Sequence, residues 1–131
     1  MSSDFYFLTS ELCEPRPYIR CLVVYYGIMD LEPMRKDRPA ITDEVNKEFS
    51  TLHRLKETRS KFPPMFIARA GREEPALNVA VDSFIQEAVK KNSTVDFSNH
   101  PNGQHGFDVL DDNARTREII SRTIEFIKAH S

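Results

Sequence analysis

The stretch His100-Pro-Asn-Gly-Gln-His-Gly-Phe-Asp108 decides which fold the sequence predicts. It follows a strand-like run and precedes a long amphipathic helix, which predicts a strand-to-helix loop at the carboxyl edge of a sheet. In open α/β sheets, ligands bind at that edge. Gly103 and Gly106 lie on either side of His105, where they allow the backbone to turn tightly. The pattern therefore predicts a loop that presents the imidazole of His105.

Length and composition indicate one globular domain. The chain has 131 residues, of which 40% are apolar and 29% are charged, and this size suits a single hydrophobic core. The 18 basic and 20 acidic residues leave a net charge of −2. No cluster of Lys or Arg alternates with aromatic residues, so we expect neither nucleic acid nor an anionic membrane as a partner. Small molecules remain open as substrates.

No pattern in the sequence predicts export or membrane insertion. The longest apolar run begins at Cys21 and is much shorter than the roughly 20 residues that span a bilayer. Asp4 lies where a signal peptide would be basic. Cys13 and Cys21 have no metal-binding spacing and are predicted to be buried thiols. We therefore expect a cytoplasmic protein with no metal and no cofactor.

Three β-prone runs predict the strands. Residues 21–27 are a continuous β-prone run that ends in a glycine, which is typical of a strand buried on both faces of a parallel sheet. Residues 65–71 are predicted to be a second buried strand that also ends in a glycine. Residues 94–99 differ, because Val95 and Phe97 alternate with polar residues. That alternation predicts an edge strand with one solvent-exposed face.

Apolar residues at helical spacing predict a helix after each strand. The first helix begins near Thr42, after an irregular excursion at residues 29–40, and the last is capped by Asp111 or Asp112. The residues predicted to face inward are Ile41, Val45, Phe49 and Leu52 in the first helix, Leu77, Val81, Phe84, Ile85 and Ala88 in the second, and Ile120, Thr123, Ile124 and Ile127 in the third. The alternation of strands and helices predicts a right-handed parallel α/β layer.

Acidic residues follow the second predicted strand, and His105 follows the third. Glu73 and Glu74 come just after Gly71, and the carboxyl ends of neighbouring parallel strands meet at one edge, roughly 5 Å apart. A carboxylate is therefore expected beside the imidazole. It can hold the imidazole tautomer and stabilise the protonated ring while the other ring nitrogen deprotonates a nucleophile. Such a pair supplies two of the three groups of a hydrolytic triad.

These features together resemble the α/β-hydrolase superfamily, most closely its dienelactone-hydrolase-like and small esterase members. The similarity rests on the strand at 21–27, on residues 63–71 with the acidic residues after them, on the helix at 77–84 and on the loop at 103–108. It extends from about Arg20 onward and matches only the carboxyl-terminal half of that fold.

The resemblance implies a three-layer α/β-hydrolase-like fold with a partial parallel sheet of about three strands and flanking helices. One partial domain covers residues 1–131. Within it, residues 1 to about 20 are the remnant of a helix and linker, and residues 21–131 contain the strand and helix repeats with the acid and histidine loops.

The order of catalytic groups in the family assigns roles to individual residues. The family has the nucleophile first, then the acid, then the histidine. By that order, His105 resembles the catalytic base and Glu73 its acidic partner, with Glu74 as the alternative. Members of the family more often carry Asp at this position. The implied substrates are small esters or lactones.

The family's nucleophile is missing from this sequence. The sharp turn that carries it requires Gly-x-Ser-x-Gly, and no two glycines here lie four residues apart. The glycines are Gly27, Gly71, Gly103 and Gly106. Cys13 or Cys21 is the alternative nucleophile, because dienelactone hydrolases use cysteine. We therefore predict a truncated, split or decayed hydrolase that is inactive alone.

Two other interpretations stay open. The chain could be a non-catalytic α/β domain or an assembly partner, since an exposed first strand invites pairing with a second copy or a complementing chain. A metal site formed by His100, His105 and Asp108 is the weaker interpretation, because their spacing matches no established ligand pattern.

Two sequence features bear on structure more than on chemistry. Arg69 lies inside an apolar strand and requires a charged partner, for which Asp108 and Glu73 are the candidates. The excursion at residues 29–40 is a candidate for a small cap over the site.

Overall fold

The computed structural model describes residues 18–59 and 62–131. In these ranges, three strands form one parallel sheet in the order β1-β2-β3. The strands are β1 (Leu22–Tyr25), β2 (Met65–Ala70) and β3 (Val95–His100). Strand number and direction agree with the prediction.

Helices connect the strands and cover both faces of the sheet. In the described ranges these are a 3-10 helix at Glu32–Asp37 and the α-helices α1 (Asp43–Phe49), α2 (Thr51–Glu57), α3 (Pro75–Lys90), α4 (Phe107–Leu110) and α5 (Ala114–His130). None of them is long and apolar enough to cross a membrane. The excursion at residues 29–40 thus contains a 3-10 helix. Most of the predicted remnant at residues 1–20, with Cys13, lies outside the described residues.

β2 lies at the centre of the sheet and separates two hydrophobic clusters. Met65 and Ile67 belong to one cluster, with residues of α2 and α3. Phe66, Ala68 and Ala70 belong to the other, with residues of α4 and α5. Because successive side chains of a strand point to opposite faces, a strand covered on both faces is mostly apolar on both. The helix, sheet and helix layers confirm the predicted three-layer α/β fold class.

β1 is an edge strand of the described sheet, and it is less buried than predicted although residues on both of its faces pack against the hydrophobic clusters. Val23 is 40% exposed, and the other three residues are half-buried. The strand pairs with β2, where the N–H of Leu22 donates to the carbonyl oxygen of Pro64 (2.8 Å). An apolar run is typical of an interior strand, but composition does not report whether a second neighbour is present.

β3 is an edge strand as predicted, but its faces are not the predicted ones. Ser98 is 1% exposed because its face of the sheet packs under α5, whereas Phe97 is 43% exposed on the α3 face. Phe97 lines an open groove there with Val79 and Ile85. The polar side of the strand is thus the better covered one.

The buried face of α5 also differs from the prediction. Ile124 and Ile127 are 47% and 42% exposed, and Ile120 is half-buried. The residues that face inward are Thr116, Ile119, Thr123 and Phe126. Thr123 faces inward as predicted, but the three predicted isoleucines do not lie at the centre of the packed face. The buried Thr123 hydroxyl is satisfied by donating to the carbonyl oxygen of Ile119 (2.8 Å).

The helix caps are predicted correctly in one case and wrongly in another. The Thr42 side chain accepts a hydrogen bond from the N–H of Val45 (3.2 Å), as predicted. α5 is capped by Asn113, which accepts from the N–H of Thr116 (3.0 Å), and not by Asp111 or Asp112.

A break at Ser50 divides the single helix predicted after Thr42 into α1 and α2. Ser50 is fully buried, and its hydroxyl accepts from the N–H of Leu31 (2.9 Å) and donates to Asn46 (2.6 Å). These bonds tie the break to the 3-10 helix region.

Candidate functional site

The loops after β2 and β3 are joined by backbone hydrogen bonds. The N–H of Gly71 donates to the carbonyl oxygen of His100 (2.8 Å), and the N–H of Arg72 donates to that of Gly103 (2.9 Å). The parallel pairing of the two strands therefore continues past their ends. This continuation fixes the loop that carries Glu73 (the acid loop) relative to the loop that carries His105 (the histidine loop).

The structure brings Glu73 and His105 together. Glu73 Oε2 contacts His105 Nδ1. The Glu73 side chain is 15% exposed and the His105 side chain 57% exposed. Glu73 Oε1 also accepts from the N–H of Glu74 (3.1 Å), just before α3 begins. This hydrogen bond orients the Glu73 carboxylate at the start of the helix.

Glu74, the alternative acid, occupies a different position. It is exposed, it is the N-cap residue of α3, and its side chain makes no capping hydrogen bond. Its carboxylate makes no contact with His105 in the part of the chain that the structure describes. The loop geometry therefore favours Glu73 over Glu74 as the partner of the imidazole.

The contact at Nδ1 determines what the other ring nitrogen of His105 can do. A carboxylate at Nδ1 accepts a hydrogen bond from Nδ1–H, so the neutral ring keeps its lone pair on Nε2. Within residues 18–59 and 62–131, Nε2 has no hydrogen-bond partner. An exposed Nε2 with an oriented lone pair can accept a proton from a hydroxyl or thiol.

Tyr26 completes the surroundings of His105, although it was not among the residues predicted for the site. Its ring centroid lies 4.4 Å from that of the imidazole, and its hydroxyl donates to Asp108 Oδ1 (2.7 Å). Burial, followed by the neighbouring Asp108, raises the pKa of Tyr26 to about 12. The available signal was an aromatic residue at the end of β1, on the same sheet edge as the two loops.

Asp111 restrains the histidine loop through hydrogen bonds to Gln104, the residue before His105. Its carboxylate accepts from the Gln104 side-chain amide (2.6 Å) and from the Gln104 backbone N–H (3.1 Å). These bonds lower the pKa of Asp111, the side-chain bond contributing most. Asp111, which was predicted as a helix cap, instead restrains Gln104.

His100 has a structural position. It is 3% exposed, and its ring packs against Phe107 with centroids 5.1 Å apart. Its Nε2 lies 3.2 Å from Asn113 Oδ1 and 3.1 Å from Thr116 Oγ1. Across residues 18–59 and 62–131, no three His, Cys, Asp or Glu side chains are grouped as metal ligands.

Arg69 has a charged partner, but not one of the predicted ones. Its guanidinium donates to both carboxylate oxygens of Asp82 on α3 (2.7 and 3.1 Å) and to Asn99 on β3 (3.1 Å). Arg69 therefore links three elements of the fold away from Glu73 and Asp108.

Cys21 was predicted to be buried. It is half-buried and packs against the hydrophobic cluster that includes residues of α4 and α5.

Comparison with known proteins supports the fold. No family model matches the sequence, and no curated protein matches it. The native esterase Est2 of Thermogutta terrifontis superposes with a TM-score of 0.67 at 15% identity, covering 94% of this chain and 49% of that one. Its propionate-bound form gives 0.67 at 16%, covering 95% and 50%. The Francisella virulence factor BioJ gives 0.66 at 16%, covering 98% and 50%.

These matches define the class of fold. The described strands and helices have the α/β-hydrolase-like arrangement of these structures, and the chain spans about half the length of each structure that it matches. The resemblance that the sequence suggested is confirmed at the level of a partial fold.

Proposed function

We propose that this chain supplies the general base and its acidic partner to a carboxylic ester or lactone hydrolase. His105 is the base and Glu73 is the acid. The nucleophile comes from a segment outside this sequence, because no Gly-x-Ser-x-Gly is present. The chain alone is inactive.

One observation carries the proposal: Glu73 Oε2 contacts His105 Nδ1 while the imidazole stays 57% exposed. A histidine that served only packing would be covered, as His100 is at 3% exposure. A surface histidine without a role would not require a carboxylate held by the N–H of Glu74 (3.1 Å). The combination is that of the acid and base in hydrolytic triads.

The reaction would follow from this geometry. As a hydroxyl or thiol attacks the carbonyl carbon, His105 Nε2 takes its proton, and Glu73 stabilises the imidazolium across Nδ1. The imidazolium then returns that proton to the departing alcohol, which leaves an acyl group on the nucleophile. Water, deprotonated by the same Nε2, then attacks the acyl carbon. The bond to the nucleophile breaks, the nucleophile takes back the proton from the imidazolium, and the carboxylic acid is released. Small carboxylic esters are the proposed substrates, in line with the esterase that binds propionate, and lactones are the second class.

The segment that carries the nucleophile would pair with the outer edge of β1. Val23 is 40% exposed there, and β1 pairs with β2 alone in the part of the chain that the structure describes. An unpaired apolar edge accepts another strand. The partner is a complementing chain, with a second copy of this chain as the alternative. The cytoplasm is the proposed location.

The experiment begins with the genomic sequence adjoining the coding region, which is searched for a reading frame containing Gly-x-Ser-x-Gly. The two segments are produced together and assayed with p-nitrophenyl acetate and a fluorophosphonate probe. We expect hydrolysis and serine labelling to fall by about 10³-fold or more in His105→Ala, the size of effect that loss of a triad base produces. Glu73→Gln should reduce both, and Glu74→Gln should not.

Two results would contradict the proposal. The first is probe labelling or hydrolysis by this chain alone that disappears in His105→Ala, because it would show a nucleophile within the chain. The second is an active pair of segments that His105→Ala and Glu73→Gln leave unchanged.

A further inference from the structure

Tyr26 directly follows β1 and has a backbone conformation that non-glycine residues rarely adopt. Its N–H donates to the carbonyl oxygen of Ala68 (2.8 Å), and its φ is 40°. Among the residues that the structure describes, Asn92 is the other non-glycine residue with positive φ. Such conformations persist where surrounding contacts determine them, and they are frequent at functional sites.

The Tyr26 ring lies between the histidine loop and the core. Its centroid is 4.4 Å from that of His105, with the ring planes at 53°, and 5.7 Å from that of Phe107, with the planes at 78°. Phe107 is fully buried, so it is a firm support for the tyrosine ring. One side of the imidazole is therefore held against a supported surface.

The hydroxyl of Tyr26 connects that ring to the segment that carries His105. It donates to Asp108 Oδ1 (2.7 Å), and Asp108 lies three residues after the imidazole. With a pKa of about 12, raised by burial and then by Asp108, the phenol stays protonated and remains a donor. Packing alone would be satisfied by phenylalanine, so the hydroxyl indicates a further role.

We propose that Tyr26, held by Asp108, is a positioning residue that fixes the imidazole plane of His105 so that Nδ1 stays on Glu73. This inference rests on the proposed function, because it concerns the same imidazole. Glu73 sets which nitrogen carries the proton, and Tyr26 limits rotation of the ring away from that contact. Asp111 restrains the neighbouring Gln104, so the backbone is restrained on both sides of His105.

The test reads the imidazole directly and requires no nucleophile. Nitrogen-15 spectra of the labelled chain give the ratio of the two neutral tautomers of His105, and His105→Ala assigns its signals among the four histidines. We expect the Nδ1-protonated form to dominate in the wild type. In Tyr26→Phe and in Asp108→Ala, the ratio should fall by about fivefold, the equivalent of one ordinary hydrogen bond.

The matched control is Tyr25→Phe. It removes a neighbouring hydroxyl that is hydrogen-bonded to Thr123 (2.6 Å), and Tyr25 stacks on Phe107 without contacting His105. This variant should keep the wild-type ratio. Asp108→Asn, which retains an acceptor oxygen, should restore most of the ratio lost in Asp108→Ala.

The outcomes separate the inference from the proposed function. If Glu73→Gln changes the ratio but Tyr26→Phe and Asp108→Ala do not, the positioning role is wrong and the acid–base pair stands. If the ratio responds to none of the three, both are wrong. Where Tyr26→Phe does not fold, as judged by circular dichroism, Asp108→Ala compared with Asp108→Asn decides.

Discussion

The backbone of Gly71 lies directly against that of Pro101. A Cβ atom placed on Gly71 would come within 2.3 Å of the Pro101 carbonyl oxygen and 2.8 Å of that of His100. Backbone atoms cannot move aside as the end of a side chain can. This close approach lets the acid loop and the histidine loop share hydrogen bonds, so the position requires a residue without a side chain.

We expect Gly71→Ala to lower the free energy of unfolding by about 1–3 kcal/mol, because the methyl group forces the two loops apart. Urea unfolding measures the change. Arg72→Ala, one residue away on an exposed side chain, is the control and should stay within about 0.5 kcal/mol of the wild type. Equal stabilities for the two variants would mean that the loops separate at little cost.

The Arg69–Asp82 pair should contribute measurably to stability. We expect Asp82→Asn to cost about 1 kcal/mol, since the pair is bidentate but Asp82 is half exposed. The control is Glu125→Gln, which removes the exposed contact between Lys128 and Glu125 (3.6 Å) and should cost nearly nothing. Chemical denaturation gives the free energy of unfolding of both variants. A loss in Glu125→Gln as large as that in Asp82→Asn would contradict the expectation.

The observed inward face of α5 can be tested with two isoleucines. Ile119→Ala should cost about 2–5 kcal/mol, because Ile119 is fully buried against β2. Ile127→Ala should change stability by no more than about 0.5 kcal/mol, since Ile127 is 42% exposed. Thermal or urea unfolding of the two variants gives the comparison. A larger loss for Ile127→Ala would restore the face that the isoleucine pattern predicts.

Asp111 should make stability depend on acid pH. Its pKa is lowered from 3.8 by the Gln104 side chain and then by the Gln104 N–H. A carboxyl group with a lowered pKa stabilises the folded state above its ordinary pKa, and this contribution is lost as pH falls through the lowered value. Below about pH 4, we therefore expect wild-type stability to fall more steeply than that of Asp111→Asn.

Urea midpoints from neutral pH into this acid range measure the effect of Asp111. Gln104→Ala should remove most of the same pH dependence, because the side-chain bond is the largest cause of the shift. Parallel pH profiles for the wild type and Asp111→Asn would show that the Asp111 hydrogen bonds contribute nothing in acid.

The sequence predicts the sheet well because β2 packs against a hydrophobic cluster on each of its two faces. A mostly apolar run such as that at Met65–Ala70 is typical of an interior strand, and the turn residues after it identify the sheet edge. Glu73 and His105 follow from that topology, since loops after neighbouring parallel strands must meet.

What the sequence could not reveal depends on contacts between distant residues. Asp111 and Asn113 are both good capping residues, and only the position of Gln104 shows why the first is used elsewhere. The partner of Arg69 is on α3 because of helix orientation, which hydrophobic spacing does not report. In the sequence, Tyr26 cannot be told from an ordinary strand residue, because only the structure shows its ring beside the imidazole of His105.

The backbone bonds from Gly71 to His100 and from Arg72 to Gly103 hold the loops of Glu73 and His105 together, so the proposed acid–base pair is assembled within this chain. The two loops are held by β2, β3 and these bonds, and Tyr26 after β1 packs on the imidazole. The strand that would bring an attacking group contributes to neither. In a chimera that joined this chain to a foreign strand and serine turn, the imidazole of His105 would already be oriented. Only the serine would then have to be aligned with it.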